Sequence, residues 1–198
     1  MIPAGSSEAL AATVAAGGVA VFPTDTVYGL CCDPHSEHAV QRLYELKGRP
    51  AHKPAAILFT ALDLALAALP ELGERTRGAL LALLPGPLTV LLANPRARFP
   101  LAGGELLGVR VIDIGLALPG PVLQSSANRA GASDARRLEE VPQPIRDGAD
   151  LLVDGGELPG VASTVLDLSA FETHGAWRVV REGARSEAAI AATFGKLG

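Results

Sequence analysis

The apolar residues of this chain come in short runs, and a proline, a glycine or a polar turn stops each one. Residues 19–22, 55–59, 88–93, 108–112, 122–126, 151–154, 163–168 and 177–181 are all of this kind, rich in Val, Leu or Ile. Runs this short form buried strands more readily than helices. Between the early runs lie helix-period segments, about 6–16, 36–46, 61–69 and 71–84, and a last one, 186–194, closes the chain. Ser6 or Ser7 caps the first, Gly17-Gly18 stops it, and Val40, Leu43 and Tyr44 form the inward stripe of the second. Helices interleave early and strands cluster late, so the pattern predicts an α/β domain with a mixed sheet. A length of 198 residues suits one such domain.

Composition narrows the functional classes. The net charge of −4 offers no general attraction to nucleic acid, so any polyanion site has to be local. Cys31 and Cys32 are adjacent and do not bridge without strain, and no secretory signal opens the chain; the expectation is a reducing cytoplasm. Residues 78–95 lack a formal charge over a membrane-like length, but Pro85-Gly86-Pro87 divides them into a helix and a strand, 88–92. No membrane span is expected.

Chemistry concentrates in residues 21–54. Pro23 ends the first strand, since it has no ladder donor, and Thr24-Asp25-Thr26 follows as a hydroxyl-rich turn. Lys47, Arg49 and Lys53 then place three fixed cations in a loop framed by Gly48, Pro50 and Pro54. The chain has only three lysines, Lys47, Lys53 and Lys196, so a sequence that otherwise uses arginine keeps two of them here. Lysine and arginine are not interchangeable at a phosphate. The phosphate loop G-x-x-x-x-G-K-[ST] and the G-x-G-x-x-G fingerprint are both absent. A bound nucleotide would therefore rely on side-chain cations. Ser125-Ser126-Ala127-Asn128 supplies donors and acceptors at another strand end, and the strands ending at Phe22, Val111 and Leu123 are expected to open on a common cleft. Each feature also has an ordinary reading. Such turns satisfy their own backbone, Arg110 in an apolar strand can face solvent, and His35-x-x-His38 lacks a third ligand, so no metal site is expected.

The ordered set PTDTVYGL (23–30), KGRPAHKP (47–54), QSSAN (124–128), ASTVLDL (162–168) and VVREGA (179–184) resembles the YrdC-like threonylcarbamoyl-AMP synthase family in its single-domain form. The likeness covers about 6–184, with 185–198 as a C-terminal helix and tail of the same domain. It implies a twisted mixed sheet flanked by helices, with an open concave cleft. It also implies a reaction of ATP, L-threonine and bicarbonate to threonylcarbamoyl-AMP and pyrophosphate, magnesium entering with ATP, and delivery toward tRNA through threonylcarbamoyl-transferase proteins. By the same resemblance Thr26, Arg110, Ser126 and Ser163 would bind threonine. Lys47, Arg49, Lys53, Asn128, Arg136 and Arg181 would bind the nucleotide, with Lys47 and Arg49 stabilising charge at the reacting phosphate. The chain departs from the family pattern in three places: IGLALPGP (114–121) shortens an expected helix, ASDARR (132–137) differs around Arg136, and Leu58 stands where some relatives have histidine. Two rival functions stay open, an RNA-binding paralogue without catalysis and an enzyme making another carbamoyl adenylate.

Overall fold

The computed structural model describes residues 2–50 and 53–196. In chain order the elements are α1 (Ser6–Ala15), β1 (Ala20–Phe22), β2 (Gly29–Cys32), α2 (Glu37–Lys47), β3 (Ala56–Phe59), α3 (Leu62–Ala68), α4 (Glu74–Leu83), β4 (Leu88–Ala93), β5 (Leu106–Val111), β6 (Val122–Ser126), α5 (Gln143–Gly148), β7 (Leu151–Leu152), β8 (Thr164–Asp167), α6 (Phe171–His174), β9 (Arg178–Arg181) and α7 (Glu187–Phe194). One nine-stranded sheet runs β7-β1-β2-β6-β3-β5-β4-β8-β9. It is mixed: β1/β7, β3/β5 and β4/β8 are parallel and the other neighbours antiparallel.

Local sequence explains where the helices begin and end. Ser36 Oγ accepts from the Ala39 N–H at 3.2 Å and starts α2, and Gly48, at φ 58°, ends it. Ser186 caps α7 in the same manner through Ala189. Along every strand alternate residues face opposite ways, and the two faces differ. On one, Val21, Leu30, Ile57, Val90, Val109, Leu123 and Leu166 join the apolar sides of α2, α4 and α5 in the main core. On the other, a smaller cluster of Leu10, Phe22, Cys31, Leu58, Ile112 and Val122 packs under α1 and covers only part of the sheet.

The short apolar runs all became strands. A ninth, β2, lies where the sequence reads as a loop: Gly-Leu-Cys-Cys is short and follows a turn, yet all four residues are buried between β1 and β6. The compact helices α5 and α6 also lie outside the sequence expectation. Residues 112–121 form no helix. Instead Leu116 and Leu118 pack directly on the second face, and the Ala117 N–H donates to Ser7 Oγ at 3.0 Å.

That partial cover creates the cleft. Beyond the α1 cluster, the exposed stretch of the second face is floored by small or polar residues. The strand register sets Cys31, Gln124, Ala56, Gly108 and Leu91 in one row across five strands, with Arg110 and Leu58 side by side in the next. Ala56 and Gly108 keep the middle of the floor low. The cleft thus lies on a sheet face, not only at strand ends as the sequence suggested, because no helix was available to cover these strands.

Tyr28 joins the two ends of this arrangement. Its fully buried ring enters the main core, and its hydroxyl is shared by Asp154 Oδ1 (3.0 Å) and the Gly156 carbonyl (2.9 Å) while accepting from the Gly155 N–H (2.9 Å). Tyr28→Phe keeps the ring and removes these bonds, so it should cost about 1–2 kcal/mol. Thermal unfolding should shift by about 2–8 °C; an unchanged midpoint would show that the 154–156 turn is held by other contacts.

Candidate functional site

The cleft has a cavity volume of about 340 Å³ and is bordered by three arginines, Arg49, Arg110 and Arg181, against one carboxylate, Asp134. A cationic lining in a chain of net charge −4 marks a local anion site.

Arg110 is its deepest member, 4% exposed on β5. NH2 donates to Asp25 Oδ1 at 2.6 Å and to Thr26 Oγ1 at 3.1 Å, and NH1 donates to Gln124 Oε1 at 3.2 Å. Among the described residues its Nε–H has no partner, and neither has the Asp25 Oδ2. Burial raises the Asp25 carboxyl above its ordinary range although the Arg110 charge pulls it down, and burial lowers Arg110 although Asp25 pulls it up. Both shifts have one origin: desolvation outweighs the attraction of the pair. Such a pair contributes little stability and holds a guanidinium in place for something else.

The turn before β2 is built to receive it. Thr24 Oγ1 donates to the Val27 carbonyl at 2.6 Å and lies 3.0 Å from Thr26 Oγ1. Thr26 is fully buried at the cleft margin, with its hydroxyl already engaged by Thr24 and Arg110.

Arg49, on the loop after α2, reaches across the cleft. Its NH1 donates to Ser125 Oγ at 3.2 Å and its NH2 to the Pro54 carbonyl at 2.5 Å, and its buried Nε has no partner among the described residues. Ser126 Oγ, half-buried on the lining, donates to Asn128 Oδ1 at 2.7 Å. On the far side Ser163 Oγ and Thr89 Oγ1 are 2.8 Å apart, and Arg181 NH2 donates to the Ser163 carbonyl at 2.7 Å. Thr89, Gln124 and Asp25 were not singled out as site residues from sequence. Gln124 opens the QSSAN motif without an assigned role, and a polar residue inside an apolar strand is the signal that could have found it.

Lys47 is placed differently from the sequence expectation of a cation facing the ligand. It is 1% exposed and lies behind the cleft wall, where its ammonium donates to the Ser126 carbonyl, the Asn128 carbonyl (2.9 Å) and Asn128 Oδ1 (3.0 Å). Three acceptors match its three N–H donors. Burial and then the Arg49 charge pull its pKa down to about 8, with Asp134 opposing. The reason for the placement is α2, whose last turn aims Lys47 at the 126–128 turn; the Ala130 N–H donates back to the Lys47 carbonyl at 3.0 Å.

Two further residues stand away from the lining. Arg136 is exposed and paired with Glu157, which Arg137 also engages. Lys53 is exposed, next to residues 51 and 52, which lie outside the described residues along with the middle of the KGRPAHKP motif. The structure therefore brings Thr26, Arg49, Arg110, Ser126, Ser163 and Arg181 to one cleft, places Lys47 and Asn128 in contact behind it, and leaves Lys53 and Arg136 outside.

The family model Sua5_yciO_yrdC, described as telomere recombination, matches residues 12–183. The chain belongs to this family. A Stenotrophomonas maltophilia relative named threonylcarbamoyl-AMP synthase is 39% identical, over 78% of this chain and 88% of its own length. Among solved structures, P. abyssi Sua5 complexed with L-threonine superposes with a TM-score of 0.83 at 29% identity, covering 94% of this chain but 56% of the Sua5 chain. The present chain thus spans little more than half of that protein. E. coli YciO, at 23% identity and a TM-score of 0.72, shares the fold, over 90% of this chain and 89% of its own. As a Sua5/YciO/YrdC domain, the protein places its family motifs on the loops and sheet face that border the cleft.

The Asp25–Arg110 pair makes a direct test of the site's electrostatics. Asp25→Ala leaves a buried guanidinium uncompensated and should destabilise by about 3–5 kcal/mol. Adding Arg110→Met removes that charge as well and should recover most of the loss. Equal destabilisation by the single and double variants in urea unfolding would mean that the pair is not coupled.

Proposed function

We propose that this chain is an L-threonylcarbamoyladenylate synthase, which condenses L-threonine, bicarbonate and ATP. The observation that supports this best is that Arg49 and Arg110 both line one cleft and each keeps a buried Nε–H with no partner among the described residues. Two guanidinium groups on one lining suit an anionic ligand. The relatives named threonylcarbamoyl-AMP synthase and the threonine complex of Sua5 point to what that ligand is.

In this reading Arg110 holds the amino-acid carboxylate on the cleft floor, and Ser126 and Ser163 offer hydroxyl groups to the side chain. The amine attacks the bicarbonate carbon with loss of water to give a carbamate, whose carboxylate oxygen attacks the α-phosphorus of ATP. The bond to the bridging oxygen breaks, and pyrophosphate leaves. Arg49 and Arg181 face the phosphates from opposite walls. Lys47 joins them by exchanging its carbonyl acceptors for phosphate oxygens, a stronger charge-assisted partnership. Lys53 and Arg136 would approach the nucleotide only if their loops close, and Asn128 would be released toward it when Lys47 moves. No covalent nucleophile is required, so positioning and charge stabilisation supply the rate. Among the described residues no group of three or more His, Cys, Asp or Glu could hold a metal. Magnesium would therefore arrive on the triphosphate, with Asp134 the single carboxylate on the lining. The product would pass to tRNA through transferase proteins. No helix among the described residues is long and apolar enough to cross a membrane, and the two buried cysteines are free, which suits a reducing cytoplasm.

Pyrophosphate release from ATP should require threonine and bicarbonate together. Serine should be poorer by about 10- to 200-fold, the worth of one methyl-sized group. Valine should be rejected more strongly, because the hydroxyl partners would be left unpaired. Release that is indifferent to threonine would favour another carbamoyl adenylate, and tight RNA binding without ATP turnover would favour the non-catalytic paralogue.

The Lys47 role carries its own pH signature. A base whose folded pKa is lowered to about 8 loses its proton as pH rises through that value. ATP affinity should then be level below about pH 7 and weaken above pH 8, approaching tenfold per pH unit. Lys47→Met should bind ATP weakly with no break near pH 8; a native-like break in that variant would assign the titration elsewhere.

A further inference from the structure

Gln124 sits in the middle of β6, 3% exposed, between β2 and β3 on the cleft floor. The orientation of its amide is fixed by chemistry: only the oxygen can accept from Arg110 NH1, 3.2 Å away, so Nε2 lies on the other side. Nε2 donates to no group among the described residues, although the side chain borders the cleft. Gly29 makes room for it. A Cβ on Gly29 would stand 2.8 Å from Nε2, with Phe22 and Thr24 closing the space around it at 3.2 and 3.3 Å. A glycine across from Ser126 in the β2/β6 register thus leaves room for the amide N–H groups while the amide oxygen faces the guanidinium.

The donors of Arg110 can be counted. Its NH2 is spent on Asp25 and Thr26, its NH1 gives one hydrogen to Gln124, and its Nε has no partner among the described residues. Arg110 and Gln124 thus both border the cleft floor, joined through the Gln124 oxygen, with the Gln124 N–H groups on the Gly29 side of that contact. Asp25, bonded on the far side, reduces the positive charge presented there. That balance suits a singly charged, two-oxygen anion over a phosphate.

We propose that Gln124 is a substrate-binding, specificity-determining residue. Its side-chain N–H donates to the carboxylate of the amino-acid substrate beside Arg110, and it selects a free carboxylate over a neutral amide. The inference rests on the amino-acid-condensing reading above and adds a residue that none of the chain's sequence motifs had assigned. The floor has a divided design: Arg110 supplies charge, and Gln124 supplies a second donor while holding Arg110 through its oxygen.

Binding of L-threonine and L-threoninamide, measured calorimetrically in the native protein and in Gln124→Glu, tests this. The native protein should prefer threonine by roughly ten- to a hundredfold, the scale of a hydrogen bond to a charged group. Gln124→Glu is isosteric and still accepts from Arg110, but it sets a carboxylate against the substrate carboxylate and an acceptor before the amide N–H. The preference should therefore invert, a change that a merely structural residue would not produce. Should Gln124→Glu fail to fold, Gln124→Met keeps the volume without the donor, and it should weaken threonine about tenfold or more while changing threoninamide less. An unchanged threonine-to-threoninamide ratio in either folded variant overturns the proposal. If the native protein binds ATP but neither amino-acid ligand, the synthase reading itself has failed and this inference falls with it.

Discussion

A guanidinium buried in the face of a β-sheet needs partners, and much of this site is explained by how Arg110 obtains them. Asp25 and Thr26 come from the turn between β1 and β2, and Gln124 comes from β6. None is adjacent to Arg110 in sequence; the sheet order brings them together. The pair with Asp25 is held against the cost of desolvation, so its worth lies in fixed geometry. A charge that is already desolvated and aimed needs little reorganisation when a ligand arrives, and this is the usual source of strong electrostatic stabilisation.

The second charged feature works by a different principle. Lys47 is the end of a helix reaching under a turn nearly eighty residues later in the chain, and its ammonium ties the Ser126 and Asn128 carbonyls together. Arg49, two residues on, faces the open cleft and reaches Ser125. One short segment therefore supports the wall from behind and lines it from the front. Lysine suits the first task because a flexible stem with three donors can satisfy three carbonyls; the planar fork of arginine suits the second.

The sequence was most legible where a residue's role is local. Ser36 and Gly48 delimit α2, and Pro23, Pro85 and Pro87 separate strands from what surrounds them, all from rules that act over a few residues. The cleft residues Arg49, Ser126, Ser163 and Arg181 were reached through ordered motifs and Arg110 through the family resemblance, not through spacing. Three things could not be read. The strand β2 is only four residues long and begins with glycine, so no periodicity announces it. The inward turn of Lys47 depends on where α2 points. The parts of Asp25 and Gln124 depend on Arg110 being buried, which the alternation of β5 leaves undecided, since a charged residue between Val109 and Val111 fits either face.

The strand order has a consequence for how the molecule is made. β6 lies between β2 and β3, so the first two strands on one side and β3, β5 and β4 on the other meet only through it. During synthesis from the amino terminus, both halves exist before residue 122 emerges, each with an unpaired edge. Such edges are templates for pairing with other chains. Insertion of β6 seals both at once and delivers Gln124 and Ser126 to the floor in the same event. Closure of the central gap and delivery of this part of the floor are thus one step, and the wall of Ser163 and Arg181 follows with β8 and β9.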